Sequence, residues 1–304
     1  MYRTETVREI LSWYEGETPG LKSNLSRLLM HGRLGGSGRL VILPVDQGFE
    51  HGPVRSFAPN PPAYDPHYHY QLAIDAGVSG YAAPLGLLEQ GADTFAGEVP
   101  LILKVNSGNL LASGANDQAV TASVADAMRL GCVGVGFTIY PGSDHSYDMI
   151  EELRQISLEA KSRGLMTVVW SYPRGGKVTK EGETAVDVVA YAAHMAALMG
   201  ATIIKVKLPT EHVDHEDTKS SYNKHEVLIS EAADRVRHIM QAAFNGKRIV
   251  VFSGGAAKNR DELLDEARGI REGGGNGSII GRNSFQRPKE DALKLLQEII
   301  DVYS

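Results

Sequence analysis

Eight short apolar runs, each followed by a loop rich in glycine or proline, constrain the fold of this chain more than any other feature. They are RLVILPVD (39–46), VSGYAA (78–83), PLILKVN (100–106), CVGVGFTIY (132–140), LMTVVWSY (165–172), TIIKVKL (202–208), RIVVFSGG (248–255) and GSIIGR (277–282). Most are rich in valine and isoleucine without clean polar alternation. That is the pattern of strands buried on both faces, as in a parallel sheet. Between them the pattern predicts helices over Tyr68–Ala76, Asp117–Leu130, Ser146–Arg163, Thr184–Met199, His225–Phe244 and Lys258–Glu272. A short helix is expected over Leu85–Asp93, and Pro288–Tyr303 closes the chain. Gly77, Gly131, Gly164, Gly200 and Gly246 stand where helices should stop. Strand and helix alternating eight times predict an α/β fold, a (β/α)8 TIM barrel. An open doubly wound sheet is the alternative, weakened because no G-x-G-x-x-G follows the first strand. Residues 1–35 read as an N-terminal helical extension of two helices, covering the barrel floor or a neighbouring subunit. No linker divides residues 1–304, so one domain is expected.

Composition closes off several classes of function. With 304 residues and 42% hydrophobic content, the chain can bury a large core. Its formal charge is −6, from 31 basic and 37 acidic side chains, which is not the basic footprint of a nucleic-acid binder. The start, MYRTETVREILSWYEG, has early acids and none of the apolar core of a secretory signal. The longest apolar stretch, Val188–Ile204, is interrupted by His194, Gly200 and Thr202 and falls short of the ~20 residues of a membrane span. A soluble, cytoplasmic protein without membrane partners is expected. Cys132 is the single cysteine, which leaves no internal disulfide, and its place in an apolar strand reads as inert core.

In such a barrel the active site lies at the C-terminal ends of the strands. The polar residues there are Asp46 after strand one, Lys104 and Asn106 in strand three, and Trp170 and Tyr172 ending strand five. Lys205 and Lys207 lie in strand six, Ser253, Gly254 and Gly255 end strand seven, and Gly281 and Arg282 end strand eight. Strand period two puts Lys205 and Lys207 on one face. A lysine beneath the outer helices would be a costly buried charge, so both are expected to point into the lumen. The bland reading is a structural network of lysines paired with acids. The sharper reading is imine chemistry, in which an amine attacks a ketone and the iminium then withdraws electrons from the adjacent carbon–carbon bond. At an ordinary pKa of ~10.4, only about 0.04% of a lysine is neutral at pH 7. Burial and a neighbouring cation lower that pKa, with Lys207 and Lys104 the candidate cations. Asp46 is placed to move protons and Tyr172 to act as acid and base. Spacing alone does not choose between Lys205 and Lys207. SGGAAKN and GRNSF read as an anion site after strands seven and eight, with Arg282 matched to phosphate oxygens. Its bland alternative is a tight glycine turn.

These motifs together resemble the archaeal-type class I fructose-bisphosphate aldolases, a Schiff-base family also found in bacteria. The resemblance covers roughly residues 35–303. LPVDQGFEHGP is similar to the family's first-strand motif, with Asp46 at its acidic position and Gln47 where many members carry histidine. TIYPGS, VVWSYPRG and GATIIKVK resemble the fourth-, fifth- and sixth-strand motifs, and SGGAAK and IIGRNSF the two phosphate-binding turns. The resemblance implies reversible cleavage of fructose 1,6-bisphosphate to dihydroxyacetone phosphate and glyceraldehyde 3-phosphate, without metal or cofactor, in a homo-oligomer. It implies that Lys205, the first lysine of its motif, forms the imine. Tyr172 would then shuttle protons with help from Asp46, and Trp170 would pack against the imine. Ser253, Gly254, Gly255, Gly281 and Arg282 would hold the phosphate beside the ketone, with Lys104 as a further substrate contact. Related enzymes with the same lysine act on other phosphorylated ketoses, as an amino-sugar-like synthase or a quorum-signal phosphate thiolase. A non-catalytic phosphosugar-binding barrel is the alternative from another class.

Some signals fit no clear role. HVDHED (212–217) and His225 read as a solvated loop rather than a metal site. His51 is a candidate contact for the distal phosphate. Arg174 and Lys177 are either further distal contacts or ordinary loop charges. PHYHY reads as the start of a barrel helix.

Overall fold

The computed structural model describes residues 2–112, 116–253 and 258–304. Eight parallel strands close into a barrel in chain order: β1 (Leu40–Pro44), β2 (Gly80–Pro84), β3 (Leu101–Lys104), β4 (Gly134–Ile139), β5 (Met166–Ser171), β6 (Ile203–Lys207), β7 (Ile249–Ser253) and β8 (Gly277–Ile279). Closure is the parallel pairing of β1 with both β2 and β8. Helices follow the strands on the outside, so the chain is the expected (β/α)8 barrel rather than an open sheet. Among the described residues no helix is long and apolar enough to cross a membrane.

Strand alternation sorts the core into two layers. Leu40, Ile42, Ile102, Val168, Trp170, Ile203, Ile249, Val251 and Ile279 form the lumen cluster. Their neighbours Val41, Leu43, Leu103, Val169, Ile204, Val206 and Val250 belong to the layer under the helices. In β4 the outward residues are Val135, Phe137 and Ile139, which leaves Gly134, Gly136 and Thr138 for the inner face. Gly136 is required there, because a Cβ would lie 2.3 Å from the Trp170 ring.

The extension before β1 closes the floor. Helix α1 (Glu5–Ser12) is capped by Thr4, whose hydroxyl accepts from the Val7 amide, and α2 (Pro19–Leu29) by Thr18, with proline at the helix start. Val7, Ile10, Leu11, Leu21, Leu25, Leu28 and Leu29 pack into the same cluster as the lumen residues. Tyr14, between the two helices, donates to the Thr202 carbonyl at 2.7 Å and accepts from the Ile249 amide at 3.2 Å. The two helices therefore cover the barrel floor, one of the two positions expected for them.

Helices over Pro66–Ala76, Leu85–Glu89, Ser146–Ser162, Val186–Leu198, Arg260–Glu272 and Lys289–Tyr303 match the pattern within a few residues. Two expectations are corrected. The helix over Asp117–Leu130 is confined to Val124–Arg129, because Ser123 and Asp126 form a reciprocal cap that starts it late. Ahead of it, Ala119–Val120 pairs antiparallel with Asn106–Ser107, so strand three ends at Lys104. The helix expected over His225–Phe244 is shortened to Ala232–Ala242, and a separate helix that the pattern did not predict, Glu216–Lys224, precedes it and takes up part of the expected HVDHED loop. Glu226 between them adopts φ 51°, a left-handed conformation that no helix continues through. The loop after β1 carries two short helices that the pattern did not predict, Gln47–His51 and Pro53–Phe57.

Tyr14→Phe should cost about 1–3 kcal/mol, because it leaves the Thr202 carbonyl and Ile249 amide without their buried partner. Urea unfolding measures this, and a loss under about 0.5 kcal/mol would show that the hydroxyl does not secure the floor.

Candidate active site

The mouth of the barrel at the C-terminal strand ends holds a cavity of ≈ 240 Å³. Its walls include Asp46, Glu50 and His51 from the segment after β1, Trp170 and Tyr172 from β5, Lys205 and Lys207 from β6, Ser253 from β7, and Gly281 and Arg282 after β8. Most of the residues expected at the site are thus brought together. Gly254 and Gly255 lie outside the described residues. Lys104 is not among the wall residues: it is buried, and Asn106 holds its ammonium through the side-chain oxygen at 2.9 Å and through the backbone carbonyl. Lys177 is exposed, whereas Arg174 lines the cavity with its guanidinium 4.9 Å from the Tyr140 ring and 5.8 Å from the Tyr172 ring.

Lys205 points inward on the face of Ile203, in register with Trp170 on β5 and Val251 on β7. Its Nζ lies 5.1 Å from the Trp170 ring centre and 5.4 Å from that of Tyr172. Among the described residues it makes no hydrogen bond or ion pair. Burial lowers its pKa to about 8 against the opposing pull of Asp46 and Glu50, and Arg282 lowers it further. Lys104, whose Nζ lies 5.8 Å from the Trp170 ring centre, is likewise lowered to about 8, by burial and by Lys205, against Asp46 and Glu50. Lys207 and Lys104 are the cations expected from sequence for this effect, but Arg282 takes that place. Lys207 donates to Glu183 at 2.8 Å, and the carboxylate neutralises its charge.

Asp46 is buried, with Oδ1 free of any hydrogen-bond partner among the described residues. The Tyr172 hydroxyl lies 3.3 Å from Ser253 Oγ. Burial holds the phenol protonated, and Asp46 and Glu50 add to this. The cavity therefore combines an unpaired amine, a phenol and an unsatisfied carboxylate, which is the equipment for attack on a carbonyl followed by proton transfer.

The sequence reading missed Glu50 and Glu183. Burial, helped by Asp46, raises the Glu50 carboxyl to about 7, while Lys104, Lys205 and Arg174 oppose the shift. Asp46 stands at the N-cap position of the five-residue helix that contains Glu50, without a side-chain capping bond, and so short a helix gives no periodic signal in the sequence. Glu183 sits in the long loop after β5, where no periodicity points to the cavity. His51 lines this cavity and an adjoining one of ≈ 380 Å³, and Glu50 and Arg174 also border both. His212 and His215 instead pair with Asp214 and Asp187, away from the mouth. Among the described residues no group of three or more His, Cys, Asp or Glu side chains is arranged to hold a metal ion. Cys132 is buried and its thiol is pushed up to about 12 by that burial.

A DeoC/LacD family aldolase model matches residues 40–287. A Chlamydia muridarum protein described as "Probable fructose-bisphosphate aldolase class 1" is 36% identical over 292 residues, covering 92% of this chain and 83% of that protein. The class 1 fructose-bisphosphate aldolase of Thermoproteus tenax is 38% identical over 266 residues, covering 87% and 89%. A solved archaeal fructose-1,6-bisphosphate aldolase, whose catalytic lysine is covalently bound to the substrate's carbinolamine intermediate, superposes with a TM-score of 0.76 at 35% identity, covering 92% of this chain and 99% of that one. The chain belongs to the DeoC/LacD aldolase family.

Proposed function

We propose that this protein is a class I, Schiff-base fructose-1,6-bisphosphate aldolase, and that Lys205 forms the imine. The observation that carries the reading is the Lys205 amine, buried against two aromatic rings at the cavity wall with no ion pair among the described residues. The family membership and the named relatives support the substrate.

With a pKa of about 8, roughly a tenth of Lys205 is neutral at pH 7, against about 0.04% for an ordinary lysine. The neutral amine attacks the ketose C2, forming the C–N bond as the carbonyl pair moves to oxygen. That oxygen takes protons and leaves as water, which gives the iminium. A base then removes the C4 hydroxyl proton, the C3–C4 bond breaks, and its electrons pass to the iminium nitrogen as an enamine. Glyceraldehyde 3-phosphate leaves. Protonation at C3 and addition of water release dihydroxyacetone phosphate and restore the amine.

Tyr172 enters this cycle as a proton donor, since burial keeps its phenol neutral. The positive iminium formed beside it favours the phenolate and lets it accept the C4 proton. Asp46, with an unsatisfied oxygen, assists the proton transfers. Trp170 packs the imine. Ser253, Gly281 and Arg282 receive the phosphate beside the ketone, Gly254 and Gly255 being further candidates from the sequence alone, and His51 and Arg174 face the distal phosphate. Lys104, held by Asn106, acts through the charge of the site rather than by direct contact with substrate.

Lys205→Met should lower cleavage of fructose 1,6-bisphosphate by at least about 10⁴-fold without unfolding the protein, as read by a coupled assay and circular dichroism. An active variant would overturn the assignment. Competitive acetylation of wild-type protein should show Lys205 gaining reactivity as pH rises through about 8, because the amine loses its proton there. A midpoint near the ordinary ~10.4 would mean that burial does not activate it. Turnover should survive exhaustive chelation, and loss restored by a divalent metal would replace the imine mechanism with a metal-assisted one.

A further inference from the structure

Two lysines of β6 face the same cavity. Lys205 and Lys207 are two residues apart, so their Cα atoms lie about 7 Å apart along one strand face. Both border the reaction cavity, and a ketone held there is within reach of either long side chain. Their surroundings differ. Among the described residues Lys205 Nζ has no ion pair, whereas Lys207 Nζ donates to Glu183 Oε2 at 2.8 Å. Both members of that pair are largely buried, with side chains 19% and 14% exposed. The other oxygen, Oε1, accepts from Lys180 at 2.9 Å, but Lys180 is 90% exposed, and a pair of that kind contributes little. Glu183 belongs to the long segment between β5 and the helix Val186–Leu198, and its carboxylate reaches back to the barrel mouth.

We propose that Glu183 selects the nucleophile: its ion pair withholds Lys207 from carbonyl chemistry, so that the imine forms at Lys205. The proposal rests on the imine reading given above. An ammonium has no lone pair, so attack requires a free amine: the nitrogen pair forms the C–N bond, the carbonyl pair moves to oxygen, and water leaves. Lys207 is lowered from its ordinary pKa by burial, with help from Arg174 and Lys180, all of which oppose Glu183 as it stabilises the protonated form. Without the carboxylate, those opposing influences act alone and the neutral amine becomes accessible. Glu183 is therefore a positioning residue, since it acts through Lys207 rather than on substrate.

The test is to incubate the protein with dihydroxyacetone phosphate, reduce with borohydride, and map the adduct by peptide mass spectrometry. Hydride from borohydride converts the iminium to a stable secondary amine at whichever lysine formed it. Wild type should carry the adduct on Lys205. Glu183→Gln, which keeps the shape but not the charge, should raise the Lys207 adduct at least tenfold. Lys205→Met should carry no adduct, and Lys205→Met/Glu183→Gln should carry one on Lys207. An adduct confined to Lys205 in Glu183→Gln, with none in the double variant, would overturn the proposal while leaving Lys205 as the imine residue. No adduct in folded wild type would overturn the imine reading and this inference with it. If Glu183→Gln does not fold, competitive acetylation of wild type decides. Lys207, facing Glu183, Lys180 and Arg174, should gain reactivity at a higher pH than Lys205, facing Asp46, Glu50 and Arg282. The reverse order would overturn the proposal.

Discussion

An amine that is to attack a ketone near neutral pH must be removed from the water that would keep it an ammonium. Here the barrel removes it. Lys205 extends from β6 into a lumen filled from below by aliphatic side chains and from the side by Trp170, and its charge meets no carboxylate at hydrogen-bond distance. Desolvation is the largest influence on its pKa, ahead of any neighbouring charge. Much of the architecture serves that condition. The floor helices seal one end, Tyr14 ties them to β6 and β7, and the bare inner face of β4 at Gly136 makes room for the indole. A larger residue at 136 would drive the ring off the position from which it dries the amine.

The acids of the site are arranged around this amine without pairing to it. Asp46 and Glu50 both oppose its deprotonation, so they limit how far burial can shift it. Burial, helped by the nearby Asp46 charge, holds Glu50 partly protonated near neutral pH. The site therefore keeps a proton store beside the nucleophile and a phenol within reach. Glu183, by contrast, is committed to Lys207. Two lysines with the same chemistry on one strand face become unequal through where the carboxylates lie.

The barrel was legible in the sequence because buried parallel strands and glycine-stopped helices repeat with little interruption. A rim holding Asp46, Trp170, Tyr172 and two strand-six lysines was legible for a related reason, period two and the rule that function gathers at the C-terminal mouth, whereas the choice of Lys205 over Lys207 came only from the family resemblance. What stayed hidden depends on loops. Glu50 belongs to a five-residue helix too short to show periodicity, and Glu183 reaches the mouth from a segment whose path only tertiary contacts define. The assignment of Lys207 as the activating cation failed for the same reason, since its partner lies 24 positions away in sequence. The helix over Asp117–Leu130 was drawn too long because local polarity resembles a helix, while a two-residue ladder claims Ala119–Val120.

If Lys205 forms the imine, its amine bonds to the carbonyl carbon of a ketose phosphate. Carbon-13 NMR of the protein with dihydroxyacetone phosphate labelled at its carbonyl carbon tests this directly, with no reduction step. The bound ketone signal should give way to carbinolamine or iminium signals, and these should vanish in Lys205→Met. A bound carbonyl that keeps its ketone signal in wild-type protein that turns over fructose 1,6-bisphosphate would contradict the imine assignment.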